Sequence, residues 1–170
     1  MIFKNVNELS AEEFSQLEGV YKQTADSPSL AIKKKYFTYY IENHSSLFFV
    51  AINERKVLGY ICGMKASLEH PTLFQTYPYL KLFQDELISY PAHLHINVAP
   101  GNQGMGVGRK LMDKFVQALS QGNVLGVHIV TVVNAANNKF YQKSGFTFEK
   151  THNFADKQLL FMGKSLNTDT

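Results

Sequence analysis

The sequence predicts an α/β domain organised around a mixed sheet. Two apolar segments at 47–52 and 57–65, joined by a polar turn at 53–56, have the pattern of an antiparallel hairpin. Farther along, a strand at 92–98 leads through a helix into a strand at 126–133. Such a strand–helix–strand connection implies a parallel pair with a right-handed crossover. A hairpin and a parallel pair in one chain indicate a mixed sheet in a layered α/β architecture.

Size and composition are those of one globular domain. The chain has 170 residues, 45% hydrophobic and 18% charged, so it is long enough to bury a core. Its first residues lack the basic stretch and apolar core of a signal peptide, and no apolar run has the length of a membrane span. We expect a single domain over residues 1–170, located in the cytoplasm and without a membrane partner.

Charge and cysteine content argue against several other classes. The net charge is +3 and the single basic run is Lys33-Lys34-Lys35, so we expect no nucleic-acid partner. That run is either a solvated helix face or a contact for an acidic ligand. Cys62 is the only cysteine, which excludes an internal disulfide, and its strand-like surroundings indicate a buried, inert thiol. We predict no metal site.

The N-terminal third is predicted to hold a short strand and two helices. Residues 2–6 form the strand. Ser10 followed by an acid at Glu13 is a capping box, which marks the start of a helix. A break at 27–29 precedes a second helix over about 30–42.

The segment 66–91 is an aromatic-rich insertion with three prolines. Long irregular segments within a domain are usually functional or contain a short helix, and residues 79–88 are the candidate helix. The segment either borders a ligand site or forms a satellite hydrophobic cluster. Its acids Asp85 and Glu86 either attract a cationic ligand or lie on a solvated helix surface.

The C-terminal half is predicted to continue with two helices and to end in two strands. The helix after the strand at 92–98 runs to about Ser120. A second, short helix begins at about Ala135 and ends at Gly145, a residue type suited to a helix C-terminus. The closing strands are 146–149 and 159–162.

A glycine-rich turn before the first of these helices is the sharpest functional signal. The segment reads Val98-Ala99-Pro100-Gly101-Asn102-Gln103-Gly104-Met105-Gly106-Val107-Gly108-Arg109. The helix places apolar residues at steps of four on one face, namely Val107, Leu111, Phe115 and Leu119. Helix N-termini expose unpaired N–H groups with positive partial charge, and glycines let the backbone approach a ligand. Together these features predict a phosphate site.

Two common nucleotide-binding loops do not match this turn. A P-loop requires Gly-Lys-Ser/Thr, which is absent. A dinucleotide fingerprint requires a different glycine spacing and an acid about twenty residues downstream, where His128 lies. A purely structural turn remains as an alternative.

Two motifs resemble the GNAT superfamily of N-acetyltransferases. Gln103 to Gly108 resembles its Q/R-x-x-G-x-G/A signature, and Asn134 to Phe146 resembles its second signature through Tyr141, Gly145 and Phe146. Asn137 stands where that signature usually has alanine. The stretch 90–98 is similar to bacterial members related to the acetyltransferase-like domain of O-GlcNAcases.

The resemblance implies a fold and a cofactor site. The fold is a mostly antiparallel sheet of about seven strands with a splayed parallel pair, flanked by about four helices. N–H groups of the glycine loop would hold the pyrophosphate of acetyl-CoA, from residues Gln103, Gly104, Met105, Gly106, Val107, Gly108 and Arg109. The backbone of Ile96, Asn97 and Val98 would pair with the pantetheine arm, which Asn134 and Tyr141 would also contact.

Acetyl transfer to an amine poses two proton problems. An alkyl ammonium with a pKa near 10.4 is deprotonated in only about one part in 2,500 at pH 7, so a base is needed. The CoA thiolate that leaves needs a proton donor, and the resemblance gives that role to Tyr141. His93 and His95 lie on one face of their strand and are the candidate bases, with bulk water as the alternative.

The sequence therefore predicts an N-acetyltransferase that moves the acetyl group of acetyl-CoA to an unidentified primary amine by direct attack. The alternative is a non-catalytic CoA-binding or protein-interaction module with the same fold. Members of the resembled family are often dimers, so a homodimer is a further expectation.

Overall fold

A seven-stranded mixed sheet forms the framework of the protein. The structure is a computed structural model that describes residues 1–25 and 29–166. The strand order is β1-β2-β3-β4-β5-β7-β6. The strands are β1 (Ile2–Asn5), β2 (Phe48–Asn53), β3 (Lys56–Met64), β4 (Ala92–Val98), β5 (Gly126–Val132), β6 (Phe148–Phe154) and β7 (Lys157–Ser165). The predicted α/β class and the count of about seven strands are confirmed.

One pair of neighbours in this sheet is parallel. β4 and β5 run in the same direction, and their register pairs Ala92 with Val127 and His93 with His128. Antiparallel pairing joins β1 to β2, β2 to β3, β5 to β7 and β6 to β7. The predicted hairpin is β2–β3, and its turn contains Glu54 and Arg55 with positive φ.

Four helices lie close to where the sequence predicts them, and short helical turns are added elsewhere. The α-helices are α1 (Ala11–Thr24), α2 (Leu30–Lys33), α3 (Tyr39–Asn43), α4 (Pro71–Thr76), α5 (Glu86–Ser89), α6 (Val107–Gln121) and α7 (Asn138–Lys143). The predicted capping box starts α1, because Ser10 Oγ accepts from the Glu13 N–H at 3.2 Å and the Glu13 carboxylate accepts from the Ser10 N–H at 2.8 Å. None of the described helices is long and apolar enough to cross a membrane.

The second predicted helix has the expected extent but an unexpected geometry. Between α2 and α3, residues Lys34–Thr38 are π-helical. Ser29 caps the start of α2 by accepting from the Ile32 N–H, whereas Ser27 and Pro28 of the predicted break lie outside the described residues. π-Helical turns occur often at functional sites, and this one includes Tyr36, whose ring contacts that of His95.

The chain divides into two compact units. The first unit comprises Met1–Met64 and His95–Ala118. Its core contains the β2–β3 hairpin and three aromatic rings, since Phe48 stacks on Tyr60 at 5.3 Å and Phe37 contacts both edge-on. Cys62 is fully buried, as predicted, and burial raises the pKa of its thiol.

The apolar face predicted for the helix after β4 is confirmed in α6. All four members are at most 1% exposed, namely Val107, Leu111, Phe115 and Leu119. Burial of that face anchors the helix, and its first turn directly follows the glycine loop.

The three lysines of the basic run have different surroundings. Lys33 forms an ion pair with Glu18, Lys34 is exposed, and Lys35 lies over the ring of Tyr36.

The second unit comprises Lys65–Leu94 and Leu119–Thr170. Its core packs Phe83 and Leu87 against Leu159 and Phe161 of β7. The single helix predicted at 79–88 is wrong: a 3₁₀-helix covers Pro78–Phe83, and α5 follows separately. Side chains three residues apart eclipse in a 3₁₀-helix, so Leu80 and Phe83 share one buried face. In an α-helix the same two side chains would be rotated away from each other around the axis.

Candidate active site

The glycine loop has a backbone that requires glycine. Gly101, Gly104 and Gly106 have φ angles of +84°, +77° and +78°. L side chains rarely adopt this region, so substitution strains the backbone even though no atom lies within 4 Å of a Cβ added at any of these positions. The open space above Gly104 and Gly106 leaves their backbone accessible to a ligand.

The glycine loop ends at the N-terminus of α6, and this end of the helix has a positive electrostatic potential. Lys110 N–H bonds to the Gly106 carbonyl at 3.1 Å, so the helix begins immediately after Gly106. The first turn contains no acidic residue, whereas Arg109 and Lys110 are exposed there. The helix dipole and these two cations favour an anion at this end. An ion pair from Arg109 Nε to Asp113 Oδ1 at 3.2 Å is exposed and weakly stabilising.

Asn102 adds a polar donor within the same loop. Its Nδ2 is buried, and no described residue accepts a hydrogen bond from it. A buried donor without a partner is unfavourable by about 1–3 kcal/mol. A ligand oxygen at this place would satisfy it.

The sequence-predicted loop residues differ in what they expose. The side chains of Gln103, Met105 and Arg109 are exposed, but Val107 is 1% exposed. The Val107 side chain therefore belongs to the core and is not available to a ligand.

Three alternate residues of β4 each meet a hydroxyl group. Ser67 Oγ lies 3.0 Å from His93 Nδ1 in the second unit. In the first unit, Tyr40 Oη lies 3.0 Å from His95 Nε2, and Asn97 Nδ2 donates to Tyr60 Oη at 2.8 Å. Alternate residues point to one face of a strand, so this face of β4 is polar along its length.

His93 and His95 have different environments. His93 is 7% exposed, and its ring centroid lies 5.8 Å from that of His128. His95 is half-buried and contacts the rings of Tyr36 and Tyr40, with centroid separations of 5.4 and 5.1 Å. The second candidate base is thus the more accessible one.

His128 is a buried neutral histidine beside β4. It is 1% exposed and stacks on Phe161 at 4.9 Å. Burial lowers the pKa of His128 to about 4, although hydrogen bonds to the backbone of Tyr90 and Ala92 act in the opposite direction. Its Nδ1 lies 2.6 Å from the Tyr90 carbonyl oxygen, which defines the orientation of the ring.

Gly59 brings β3 unusually close to the end of β4. A Cβ at this position would lie 2.6 Å from the Asn97 carbonyl oxygen and 3.0 Å from the Val98 Cα. Real Cβ atoms do not approach so closely, so glycine is needed here to maintain the path of β4. The affected residues are those predicted to pair with pantetheine.

Tyr141 lies on α7 in the second unit. It is 8% exposed, and burial raises the pKa of its phenol to about 12. Its ring packs edge-on against Phe140 and Phe146. Phe140, its neighbour on α7, is only half-buried. The short α7 directs its 141 position inward, beside the following Phe146.

Asn134 and Asn138 flank the start of α7. Asn134 is exposed and has a φ of +64°. Asn138 donates through Nδ2 to the Val132 carbonyl at 3.2 Å, and its buried Oδ1 has no partner among the described residues. Gly145 ends the helix with a φ of +88°, as predicted.

These features agree with a comparison against known families. Residues 44–148 match the model of the acetyltransferase (GNAT) domain. The match covers more than half of the chain and includes both motifs. The chain belongs to the GNAT family of acetyltransferases.

Solved structures support this assignment at the level of the fold. This GNAT protein is similar to SsHAT, with 20% identity, a TM-score of 0.73 and 98% of each chain covered. It is also similar to Naa20 from Chaetomium thermophilum, solved with a bisubstrate analogue, with 20% identity and a TM-score of 0.65 over 97% of this chain and 86% of that one. An aminoglycoside 6'-N-acetyltransferase complexed with coenzyme A matches with 12% identity and a TM-score of 0.66 over 100% of this chain and 99% of that one.

The residues of the GNAT loop fit the anionic part of coenzyme A. The backbone of Gly104 and Gly106 is open, the first turn of α6 carries no acid, and Asn102 holds an unsatisfied donor. Each property favours a phosphate group over a cation or an apolar ligand.

Sequence reasoning missed the hydroxyl partners of β4. Tyr40, Tyr60 and Ser67 lie far from β4 along the chain, and their types are common in cores. The polar residues at alternate positions of β4 indicate in the sequence that such partners exist, because buried polar groups require hydrogen-bond partners. Sequence alone did not identify which hydroxyl groups would supply them.

Proposed function

We propose that this GNAT protein transfers the acetyl group of acetyl-CoA to the nitrogen of a primary amine, as one acetyltransferase domain over residues 1–170. In that reaction an N–C bond forms as the S–C bond of the thioester breaks. The ammonium proton passes to a base, and the leaving sulfur takes a proton from Tyr141. The single observation that carries the proposal is the open glycine backbone at the acid-free start of α6.

The cofactor site is proposed to contain two parts of the first unit. Backbone N–H groups from Gln103 to Arg109 bind the pyrophosphate. The described pairing of β4 with β5 joins Ala92 to Val127 and His93 to His128. Residues Ile96 to Val98 follow this paired part of β4, and their backbone is proposed to pair with the pantetheine arm.

Tyr141 is proposed as the proton donor to the thiolate. A phenol with a pKa near 12 stays protonated at neutral pH, so the proton is present when the sulfur leaves. Solvent then restores the proton to the phenol. His93, His95 and a water relay are the candidate acceptors for the ammonium proton.

Calorimetric titration with acetyl-CoA tests the cofactor site. We expect the wild type to bind and Gly106→Glu to lose binding, because the variant places a carboxylate where the pyrophosphate should lie. Gly101→Glu is the matched control, since Gly101 has a similar positive φ and equally open surroundings but precedes the predicted contact residues.

The two variants separate charge repulsion from strain. Equal loss in both variants would attribute the effect to backbone strain, and no binding by the wild type would overturn the proposal. Binding without transfer to any amine would favour the non-catalytic module.

A further inference from the structure

We propose that strand β6 pairs with the β6 strand of a second copy of this chain, and that Thr151 lies on the two-fold axis of the resulting dimer. The inference concerns the second unit alone and does not depend on acetyl transfer. It gives the expected homodimer a defined contact surface and a defined register.

The free edge of β6, the side away from β7, is the surface that carries the inference. Among the described residues, β6 is the last strand of the sheet and pairs on one side only. Its seven residues therefore present a row of backbone N–H and C=O groups on the other side. Such a row is a template for another strand. The strand contains no proline, so each residue retains its backbone donor.

The position of β6 is defined by its own chain before any partner binds. One face of the strand contacts the aromatic segment 66–91. The rings of Phe148 and Tyr90 lie 5.1 Å apart, and Lys150 Nζ donates to Glu86 Oε1 at 2.5 Å. A strand that is already ordered loses little conformational freedom on association, so these contacts favour pairing at the free edge.

Backbone geometry restricts the registers in which β6 can meet its own copy. A two-fold axis relates the two strands as an antiparallel pair. Residues directly opposite in such a pair direct their N–H and C=O groups either both toward each other or both away. Even-numbered residues must therefore face even-numbered residues, and odd-numbered residues must face odd-numbered ones. The two-fold axis consequently passes through a residue and not between two residues.

Charge and length select Thr151 among the possible centres. A centre on Glu149 or Lys150 would place like charges directly opposite each other, which is destabilising. Thr151 is the middle residue of β6, so a centre there pairs the whole strand. The facing pairs between the two copies are then Thr151 with Thr151, Lys150 with His152, Glu149 with Asn153, and Phe148 with Phe154.

The side chains that face each other in this register are complementary. The Asn153 amide of one copy can donate to the Glu149 carboxylate of the other. Phe148 faces Phe154, and aromatic cross-strand pairs stabilise sheets. Phe154 is 38% exposed in the single chain, so pairing would remove apolar surface from water.

Sedimentation velocity of the full chain over a range of concentrations tests the inference. We expect the wild type to dimerise. Thr151→Lys places two like charges across the axis and should raise the dimer dissociation constant by about 10-fold or more. Thr151→Glu should do the same. An equimolar mixture of the two variants should dimerise again, because opposite charges then face each other.

Asn153→Lys is the matched control. It introduces the same charge two residues along the same exposed face of β6. In the proposed register this charge faces Glu149 of the second copy, so we expect the variant to dimerise at least as well as the wild type. Because positions 151 and 153 are both exposed, we expect the circular dichroism spectrum of each variant to match that of the wild type.

Three results would overturn the inference: a wild type that is monomeric at its highest soluble concentration, a Thr151→Lys variant that dimerises as the wild type does, or a mixture of the Thr151→Lys and Thr151→Glu variants that stays monomeric. None of them bears on acetyl transfer. A dimer weakened equally by Asn153→Lys and Thr151→Lys would contradict the register centred on Thr151.

Discussion

Asn97 donates a hydrogen bond from Nδ2 to the hydroxyl of Tyr60 at 2.8 Å. Tyr60 is 1% exposed, and burial raises the pKa of its phenol well above 10. The bond ties the end of β4, where pantetheine is proposed to bind, to the aromatic core of the first unit.

Tyr60→Phe should therefore loosen β4 without emptying the core. The ring that stacks on Phe48 is retained, but the Asn97 amide loses its partner. We expect a loss of about 1 kcal/mol in the free energy of unfolding, measured by urea denaturation. An unchanged free energy would show that Asn97 finds another partner in the variant.

Gly59→Val should also disturb β4, through a steric clash from the neighbouring strand β3. Its Cβ would lie 2.6 Å from the Asn97 carbonyl oxygen, so either β3 or β4 must move. Overpacking of this kind lowers the free energy of unfolding by about 1–3 kcal/mol, and we expect weaker acetyl-CoA binding by calorimetry as well.

Gly19→Ala is the control for that substitution. Gly19 lies in α1, and no atom lies within 4 Å of its Cβ position. Alanine there should stabilise the protein by up to about 1 kcal/mol and leave acetyl-CoA binding unchanged. Full binding in Gly59→Val would contradict the role given to the path of β4.

His128 should make the protein less stable in acid. Its pKa is about 4 in the folded protein, against an ordinary value of 6.5 for a solvated histidine, so the unfolded chain binds the proton first as pH falls. Stability from this group is complete above about pH 6.5 and is lost progressively down to about pH 4, by roughly 3 kcal/mol.

Urea denaturation at several pH values between about 7.5 and 4.5 measures this effect. His128→Phe removes the titrating group. The unfolding free energy of the wild type minus that of the variant should therefore decrease as pH falls. A difference that stays constant over this range would contradict the prediction.

Tyr141→Phe should impair turnover and spare binding. The ring that packs on Phe146 remains, whereas the proton donor is lost. We expect kcat to fall by about 100-fold, with the calorimetric affinity for acetyl-CoA unchanged. Because the pKa of Tyr141 is about 12, its ionisation should not reduce the wild-type rate at any pH below about 10. A Tyr141→Phe variant with full activity would remove this residue from the mechanism.

The sequence predicts those features that depend on local pattern. The Ser10 capping box, the β2–β3 hairpin and the apolar face from Val107 to Leu119 follow from spacing along the chain, and all are present. The glycine loop is likewise local, since its positive φ angles require the residue type that the sequence shows.

Features that depend on distant contacts were not predictable in the same way. The 3₁₀-helix at Pro78–Phe83 is packed by the cluster around Phe161 on β7, which local propensity does not show. The contact of Tyr40 with His95 joins residues 55 positions apart. A helical tyrosine in such a pattern looks like any core residue, so its hydroxyl partner emerges only from the fold.

Acetyl transfer itself is tested most directly by incubating the protein with acetyl-CoA and a library of primary amines, and by quantifying free thiol and N-acetylated amine by mass spectrometry. We expect at least one amine to gain an acetyl group in an amount equal to the CoA released, and we expect Gly106→Glu to abolish both products. An enzyme that binds acetyl-CoA but acetylates no amine in the library, or releases CoA equally without amine, would contradict it.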